Sequence, residues 1–236
     1  MTQKRISSFL SRAAAISLAL MASVAVADAQ GSRRSSQRNQ EEAKEDSVAF
    51  FRGVAVSADV VGLAQIAFSD YGQYEAALRV NLKDRYFPVF ELGYGTADTN
   101  NPTTNIKYKT SAPYWRFGLD FNIAKHKHDD YRIYVGARYA MTYYKFDVAG
   151  TGIKDPVWGD DANYGMNGVS ANYHWMELLF GVDAKIAGPF RLGWSLRYRK
   201  RLFHNDGDMG NTWYVPGYGK QGGTRLGGTF NVIFEL

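Results

Sequence analysis

The chain has no cysteine. That absence excludes a disulfide framework, a thiolate metal site, a cysteine nucleophile and a lipid anchor on an N-terminal cysteine. Long apolar runs are also missing. The longest is the fifteen-residue stretch Ala13 to Ala27, and with a mean hydropathy of -0.34 a polytopic helical membrane protein is excluded. Full disorder is excluded by what is abundant, since 15% of the 236 residues are aromatic and 24 are glycine. This length accommodates one domain with extensions, or one β barrel.

Residues 1–29 read as a secretory signal peptide. Lys4, Arg5 and Arg12 precede the apolar run, and Ala27-Asp28-Ala29 supplies small residues for cleavage. Its removal leaves Gln30 first and lowers the formal net charge from +5 to +3. The basic pI of 9.2 is thus partly the signal's, and no nucleic-acid partner is implied. Residues 30–48 are polar and carry no apolar stripe, which predicts a disordered linker.

From Phe50 onward the chain alternates with period two, the repeat of a strand whose successive side chains face opposite ways. In one segment Phe190, Leu192, Trp194, Leu196 and Tyr198 oppose Arg191, Gly193, Ser195, Arg197 and Arg199. In another, Trp115, Phe117, Leu119, Phe121 and Ile123 oppose Arg116, Gly118, Asp120 and Asn122. Eight such segments predict an all-β, eight-stranded antiparallel transmembrane β-barrel over 49–236. No oily-face position is charged. The other face holds seven acids (Asp59, Glu75, Glu91, Asp120, Glu177, Asp183 and Glu235). It also holds seven bases: Arg79, Arg116, Arg132, Arg138, Lys185, Arg191 and Arg197.

A soluble barrel, such as a lipocalin-like carrier, would turn the oily face inward. A membrane barrel turns it outward. The oily face holds too many bulky rings for the interior of eight strands. Glycines fall on the polar face in seven segments, leaving room for long arginine and glutamate side chains, and tyrosine and tryptophan sit near strand ends as interfacial girdles do. Short gaps at 83–85, 124–130 and 187–189 alternate with long ones near 61–73, 95–113, 145–174 and 200–224. That predicts short periplasmic turns and long outer loops, with the charged lumen closed by ion pairs. A small-solute channel is the alternative.

The runs Tyr114 to Asn122, Ile133 to Tyr139, Trp175 to Val182 and Trp213 to Tyr218 together resemble an uncharacterised family of small outer-membrane barrels from Bacteroidota-type bacteria, catalogued as a domain of unknown function. The architecture is similar to OmpA- and OmpX-type barrels. The resemblance implies fold and outer-membrane location and supplies no activity.

Arg225, Gly227, Phe230, Val232, Phe234 and the terminal Leu236 look like the last-strand signal read by the barrel-assembly machinery. Arg199, Lys200 and Arg201 end one strand on the expected outer side, where they could contact lipopolysaccharide phosphates. A lipid-modifying enzyme would place His174 or His204 near Ser170, Asp160, Asp161, Asp206 or Asp208, but no spacing selects a nucleophile. Lys125 to Asp130 reads as a solvated turn rather than a metal site. The reading predicts no enzyme activity, no cofactor and no metal. It predicts a monomer whose partners are outer-membrane lipids, and whose outer loops either display Trp158, Tyr164, Trp213, Tyr214 and Tyr218 to other partners or pack them on one another as a lid.

Overall fold

A computed structural model describes residues 49–154 and 161–236, with the side chains of 151–163 left out. The expected signal and linker, and Trp158, Asp160 and the Asp161 side chain, lie outside the described residues. Eight strands close into an antiparallel ring: β1 (Phe51–Asp59), β2 (Tyr71–Leu82), β3 (Tyr86–Asn101), β4 (Ile106–Asn122), β5 (Tyr131–Lys154), β6 (Asp161–Ala187), β7 (Phe190–Asn205) and β10 (Thr224–Glu235). Consecutive strands are neighbours throughout, and β10 returns to β1. Two short strands, β8 (Tyr214–Val215) and β9 (Gly219–Lys220), form a separate hairpin between β7 and β10.

The period-two pattern sets the faces. Leu78, Phe90, Phe117, Leu178 and Leu196 are exposed outward, while Glu91, Arg116, Asp120, Glu177 and Arg197 are buried inward. The outward apolar run in β3 and in β7 is nine residues long, Tyr86 to Tyr94 and Phe190 to Tyr198. At about 3.3 Å per residue and a tilt of roughly 40°, it covers about 20 Å along the barrel axis. Aromatic rings mark both borders. Tyr86, Phe121, Tyr131, Phe190 and Phe234 lie toward the short turns, with Tyr74, Tyr94, Trp115, Tyr143 and Tyr198 at the far side.

The expected long loops are mostly strand. Ladders between β3 and β4 run to Asn101↔Ile106, and those between β5 and β6 to Lys154↔Asp161. Beyond the upper aromatic row the alternation continues with its polarity inverted. Asp98, Lys109, Lys145 and Asp147 now point outward, while Tyr108, Tyr114, Tyr144, Phe146, Tyr173 and Trp175 form a buried aromatic core inside the wall. An oily-outside template loses such a segment although its period is unbroken.

The wall is lowest at its seam. β1 pairs with β10 over only Ala55↔Glu235 to Asp59↔Asn231, and with β2 up to Ala58↔Ala76. Above that level a helix, α1 (Val60–Phe68), occupies the place of a strand between β2 and β10. The sequence reading has only a loop in the 61–73 gap. Asp59 starts the helix as an N-cap, accepting from the amides of Val61 and Gly62 at 3.0 and 3.1 Å. The same carboxylate accepts from the Phe230 amide at 3.1 Å, satisfying a donor on the unpaired edge of β10. Gly62 lets the helix lie against the β2 backbone at Gln73, where a Cβ would collide. Asp59, expected among the lumenal ion pairs, is therefore a capping residue.

Candidate functional site

The lumen is filled by one continuous ion network. Arg116 meets Glu75, Glu91 (3.1 Å) and Glu177 (3.0 Å). Arg197 meets Glu91 (2.8 Å), Glu75 (3.3 Å) and Glu177 (3.5 Å). Arg138 joins Asp120 (2.6 Å) to Glu91 (3.3 Å), and Arg79 joins Asp183 (3.0 Å) to Asp120 (3.5 Å). Arg191 then links Asp183 (2.7 Å) to Glu235 (3.4 Å), which Arg132 holds at 2.7 Å. Buried charges persist only when paired in this way. The space left among Asp59, Glu75, Arg79, Glu91, Arg138 and Arg197 is about 20 Å³, room for roughly one water. Lys185 is not a member. It stands exposed at the short-turn end, where with Arg132, Arg191 and Glu235 it lines an open space of about 180 Å³ below the network.

Two tyrosines fill what the sequence reading reserves for charges. Tyr114 stands opposite Gly93 and Tyr134 opposite Gly181 in the ladders, and each ring lies over its glycine so closely that a Cβ would collide. A glycine facing an aromatic ring across two strands is a recognisable pairing. Alternation aligns segments by face and not by register, so it does not reveal this pairing. Tyr114 donates to Glu75 at 2.6 Å and carries Arg116 over its ring at 4.5 Å.

The segment after β7 folds back over the mouth as a lid. Its hairpin tip enters the lumen, where Arg116 donates to the Gly217 carbonyl at 2.7 Å and Arg199 to that of Tyr218 at 2.8 Å. Tyr108 and Tyr173 donate to the carbonyls of Tyr214 and Gly222 at 2.8 and 2.7 Å. Gly217 has φ 79° and lies against the Tyr114 ring, so a side chain there would meet both strain and collision. Tyr214 and Tyr218 are buried. Of the two roles the sequence leaves open for these rings, partner contact or packing as a lid, Tyr214 and Tyr218 take the second.

The three cations at the end of β7 do not form one surface. Arg199 is inward and buried, held at 3.2 Å from Glu177. It cannot meet lipid phosphates, because its strand position faces the lumen. Lys200 is exposed and Arg201 half-buried. His174 and His204 also diverge. His174 is stacked on Phe203 with centroids 4.4 Å apart and bonded to the Tyr139 hydroxyl at 2.8 Å, while His204 lies 3.4 Å from Asp206. Among the described residues neither histidine contacts a serine hydroxyl. Burial pushes the Asp206 carboxyl above its ordinary value. Ser170 lies across from Lys145, apart from both histidines, and Asp208 sits exposed in the one-turn 3-10 helix Gly207–Met209.

At the short-turn end, Asp84 receives Arg52 at 2.9 Å and His128 at 2.7 Å, and exchanges hydrogen bonds with Asn81. Burial raises its carboxyl, but the bonds from Asn81 and His128 and the charges of Arg52 and Arg132 outweigh burial and hold it below its ordinary value. Among the described residues no group of three potential metal ligands converges. In the last strand, Phe230, Val232, Phe234 and Leu236 face outward, Gly227 faces inward beside Arg199, and Arg225 lies at the rim bonded to the Lys220 carbonyl at 3.1 Å. Leu236 exchanges backbone hydrogen bonds with Val54 at 2.7 and 3.3 Å.

An open cleft of about 820 Å³ lies at the long-strand rim, between the β3–β4 hairpin, the inner faces of β5 and β6, and the lid. Tyr108, Tyr164 and Trp213 supply rings, and Asn100, Asn101, Asn211 and Gln221 supply amides. The sequence reading places Tyr164 and Trp213 in outer loops but has no register with which to bring them to the same cavity.

Three solved structures share parts of this architecture. The N-terminal β-barrel domain of Pseudomonas aeruginosa OprF is 13% identical, covering 79% of this chain and 99% of its own, with a TM-score of 0.34. Acinetobacter baumannii CarO2 is 16% identical, covering 79% and 99%, with a TM-score of 0.38. A major outer membrane protein from Thermus thermophilus is 13% identical, covering 78% and 98%, with a TM-score of 0.41. No curated protein matches the sequence. The family model described as domain of unknown function DUF6048 matches residues 9–235, nearly the whole length, and the chain belongs to that family.

Proposed function

We propose that this chain is a small bacterial outer-membrane barrel with a closed lumen, which acts through its outer rim and neither conducts solutes nor catalyses a reaction. The carrying observation is the inversion of the barrel. Its outer wall is a continuous belt of exposed leucine, phenylalanine, valine and tyrosine, while its arginines and carboxylates are buried inside. Water would not tolerate such a belt as a surface. Lipid requires one, together with the closed hydrogen-bonded ring that leaves few edges unpaired. The short-turn end then faces the periplasm and the tall strands face outward. Secretion by the N-terminal signal and handover through the last-strand residues Arg225 to Leu236 fit that path, and the chain works as a monomer.

The test is fractionation with heat-modifiable gel migration. The expected protein sediments with outer membranes and runs faster unheated than boiled. Recovery as a soluble periplasmic protein would overturn the reading. A lipid-modifying role has less support, because His174 is packed against Phe203 and bonded to the Tyr139 hydroxyl and His204 is paired with Asp206, with no serine hydroxyl beside either among the described residues.

A further inference from the structure

We propose that the rim cleft is a binding site for neutral saccharides, which deepens the reading above and rests on its placing the tall strands outside the cell. The cleft's size of about 820 Å³ falls within the range of ligand sites, roughly 300–1,000 Å³, and leaves room for several sugar units. Its floor and walls combine the two chemistries a sugar ring demands. Trp213 and Tyr164 are partly exposed rings in the lining. The C–H face of a pyranose packs on such rings, burying apolar area where polar contacts would not. Asn100, Asn211 and Gln221 bring planar amides, each offering donors and an acceptor at once, which is what neighbouring hydroxyls need.

Charge selects against ionic ligands. Among the described residues the lining carries one acid, Asp70, and one base, Lys220, which balance. Lys220 is moreover engaged by ring faces, its Nζ lying 5.3 Å from the Trp213 centroid and 5.6 Å from that of Tyr71. A second observation is independent of the cavity. Behind Gln221 the carboxylate of Asp206 is 5% exposed. Its Oδ2 accepts from Gln221 Nε2 at 2.7 Å, while its Oδ1 is buried with no hydrogen-bond partner. A buried acceptor left open is costly. The bond to Oδ2 orients the Gln221 amide, so that the Gln221 oxygen remains to accept from a ligand hydroxyl. The rings are held before any ligand arrives, since Tyr108 stacks on Phe146 at 5.5 Å and donates to the Tyr214 carbonyl, and Trp213 is wedged against Tyr71 and Tyr214.

The experiment uses the full chain folded in detergent micelles, probed with an array of neutral glycans and then titrated with the best of them. Tryptophan fluorescence and calorimetry are the readouts. At least one neutral oligosaccharide is expected to bind and to shift the emission. Trp213→Ala should weaken it about tenfold or more, a loss of about 1.4 kcal/mol by the affinity relation. Because Trp213 also packs in the lid, the paired variant Asn100→Ala with Asn211→Ala serves as the second probe. Both residues are exposed, so heat-modifiable migration should be unchanged while affinity falls. Delipidated polysaccharide from the cell's own lipopolysaccharide forms one competing arm, and oligosaccharides foreign to the envelope form the other. Competition by either supports the saccharide class and identifies its source. The proposal is overturned if no neutral glycan binds, if only acidic oligosaccharides bind, or if both variants bind as well as the parent. A heat-modifiable barrel that binds no glycan would refute this site and leave the membrane reading intact.

Discussion

Replacing Phe180 by arginine separates a lipid-facing wall from a water-facing one. Phe180 lies midway along the outward run of β6, between Ile186 near the short turn and His174 at the upper border, and it is 38% exposed. In water an arginine at an exposed strand position changes stability by about 0.5 kcal/mol or less. At the middle of a bilayer the same change costs roughly 2–4 kcal/mol, which is about 30- to 700-fold in the folding equilibrium. The two environments are therefore distinguishable beyond the error of a denaturant titration. Met176→Arg, near the upper border, should cost about 0–1 kcal/mol. Lys145→Glu, above the band, should leave stability nearly unchanged. The assay is reversible unfolding in lipid vesicles, followed by the mobility of the folded band. A flat series, with Phe180→Arg as stable as Lys145→Glu, would refute the assignment of this face to lipid.

Glu91→Ala should be among the most damaging lumenal changes. It takes from Arg116, Arg138 and Arg197 the one carboxylate that all three share, leaving buried positive charge in excess, and removing one partner of a buried pair costs about 3–5 kcal/mol; near-parental thermal stability would contradict the network. In planar bilayers the protein should show no sustained porin-like current, and deleting residues 207–222 should not open one, because the ion network lies below the lid; steady conductance in the shortened protein would refute the closed lumen. Gly93→Ala should destabilise by roughly 1–3 kcal/mol, since the Tyr114 ring it would displace is fixed by Glu75; a silent substitution in a melting experiment would refute that packing. The Asp84 tie to Arg52 and His128 should loosen in acid. A carboxyl held below its ordinary 3.8 favours the folded state above that pH and loses the contribution as pH falls through the folded value. Protection of the β2–β3 turn amides, taken relative to their intrinsic exchange rates, that stays constant from neutral pH to well below 3.8 would contradict it.

The eight strands were legible because lipid and a salt-bridged lumen impose opposite chemistry on alternate residues, as at Arg197 beside Leu196. The upper third was not. In Lys145-Phe146-Asp147-Val148 the alternation is as strict as below, but its polarity is reversed, because water replaces lipid outside and aromatic rings replace ions inside. Helix α1 was hidden for a different reason. Val60 to Phe68 carries no charge, and a short apolar run has no period that separates helix from strand. Arg199 was on the inward face by its own strand's alternation, yet its neighbours Lys200 and Arg201 made it look like part of an outer cluster. The cleft was illegible in principle. Its rings and amides come from β3, β4, β6 and the lid, and only the register brings them together.

The short seam also bears on the order of events when the barrel forms. Every other contact between wall strands joins neighbours in the chain or bridges the modest lid insertion. β1 and β10 meet across almost the whole described sequence, and closing so long a loop from an open chain costs roughly 4–5 kcal/mol in entropy. Once seven hairpin-like ladders have zipped, their ends already stand side by side and most of that cost has been met. Closure is then a late step made over five residue pairs, against the long ladder joining β5 to β6. Asp59 acts as the latch, since its carboxylate can bond the Phe230 amide only when the two edges have arrived. The barrel is thus made whole at the place where its wall is lowest.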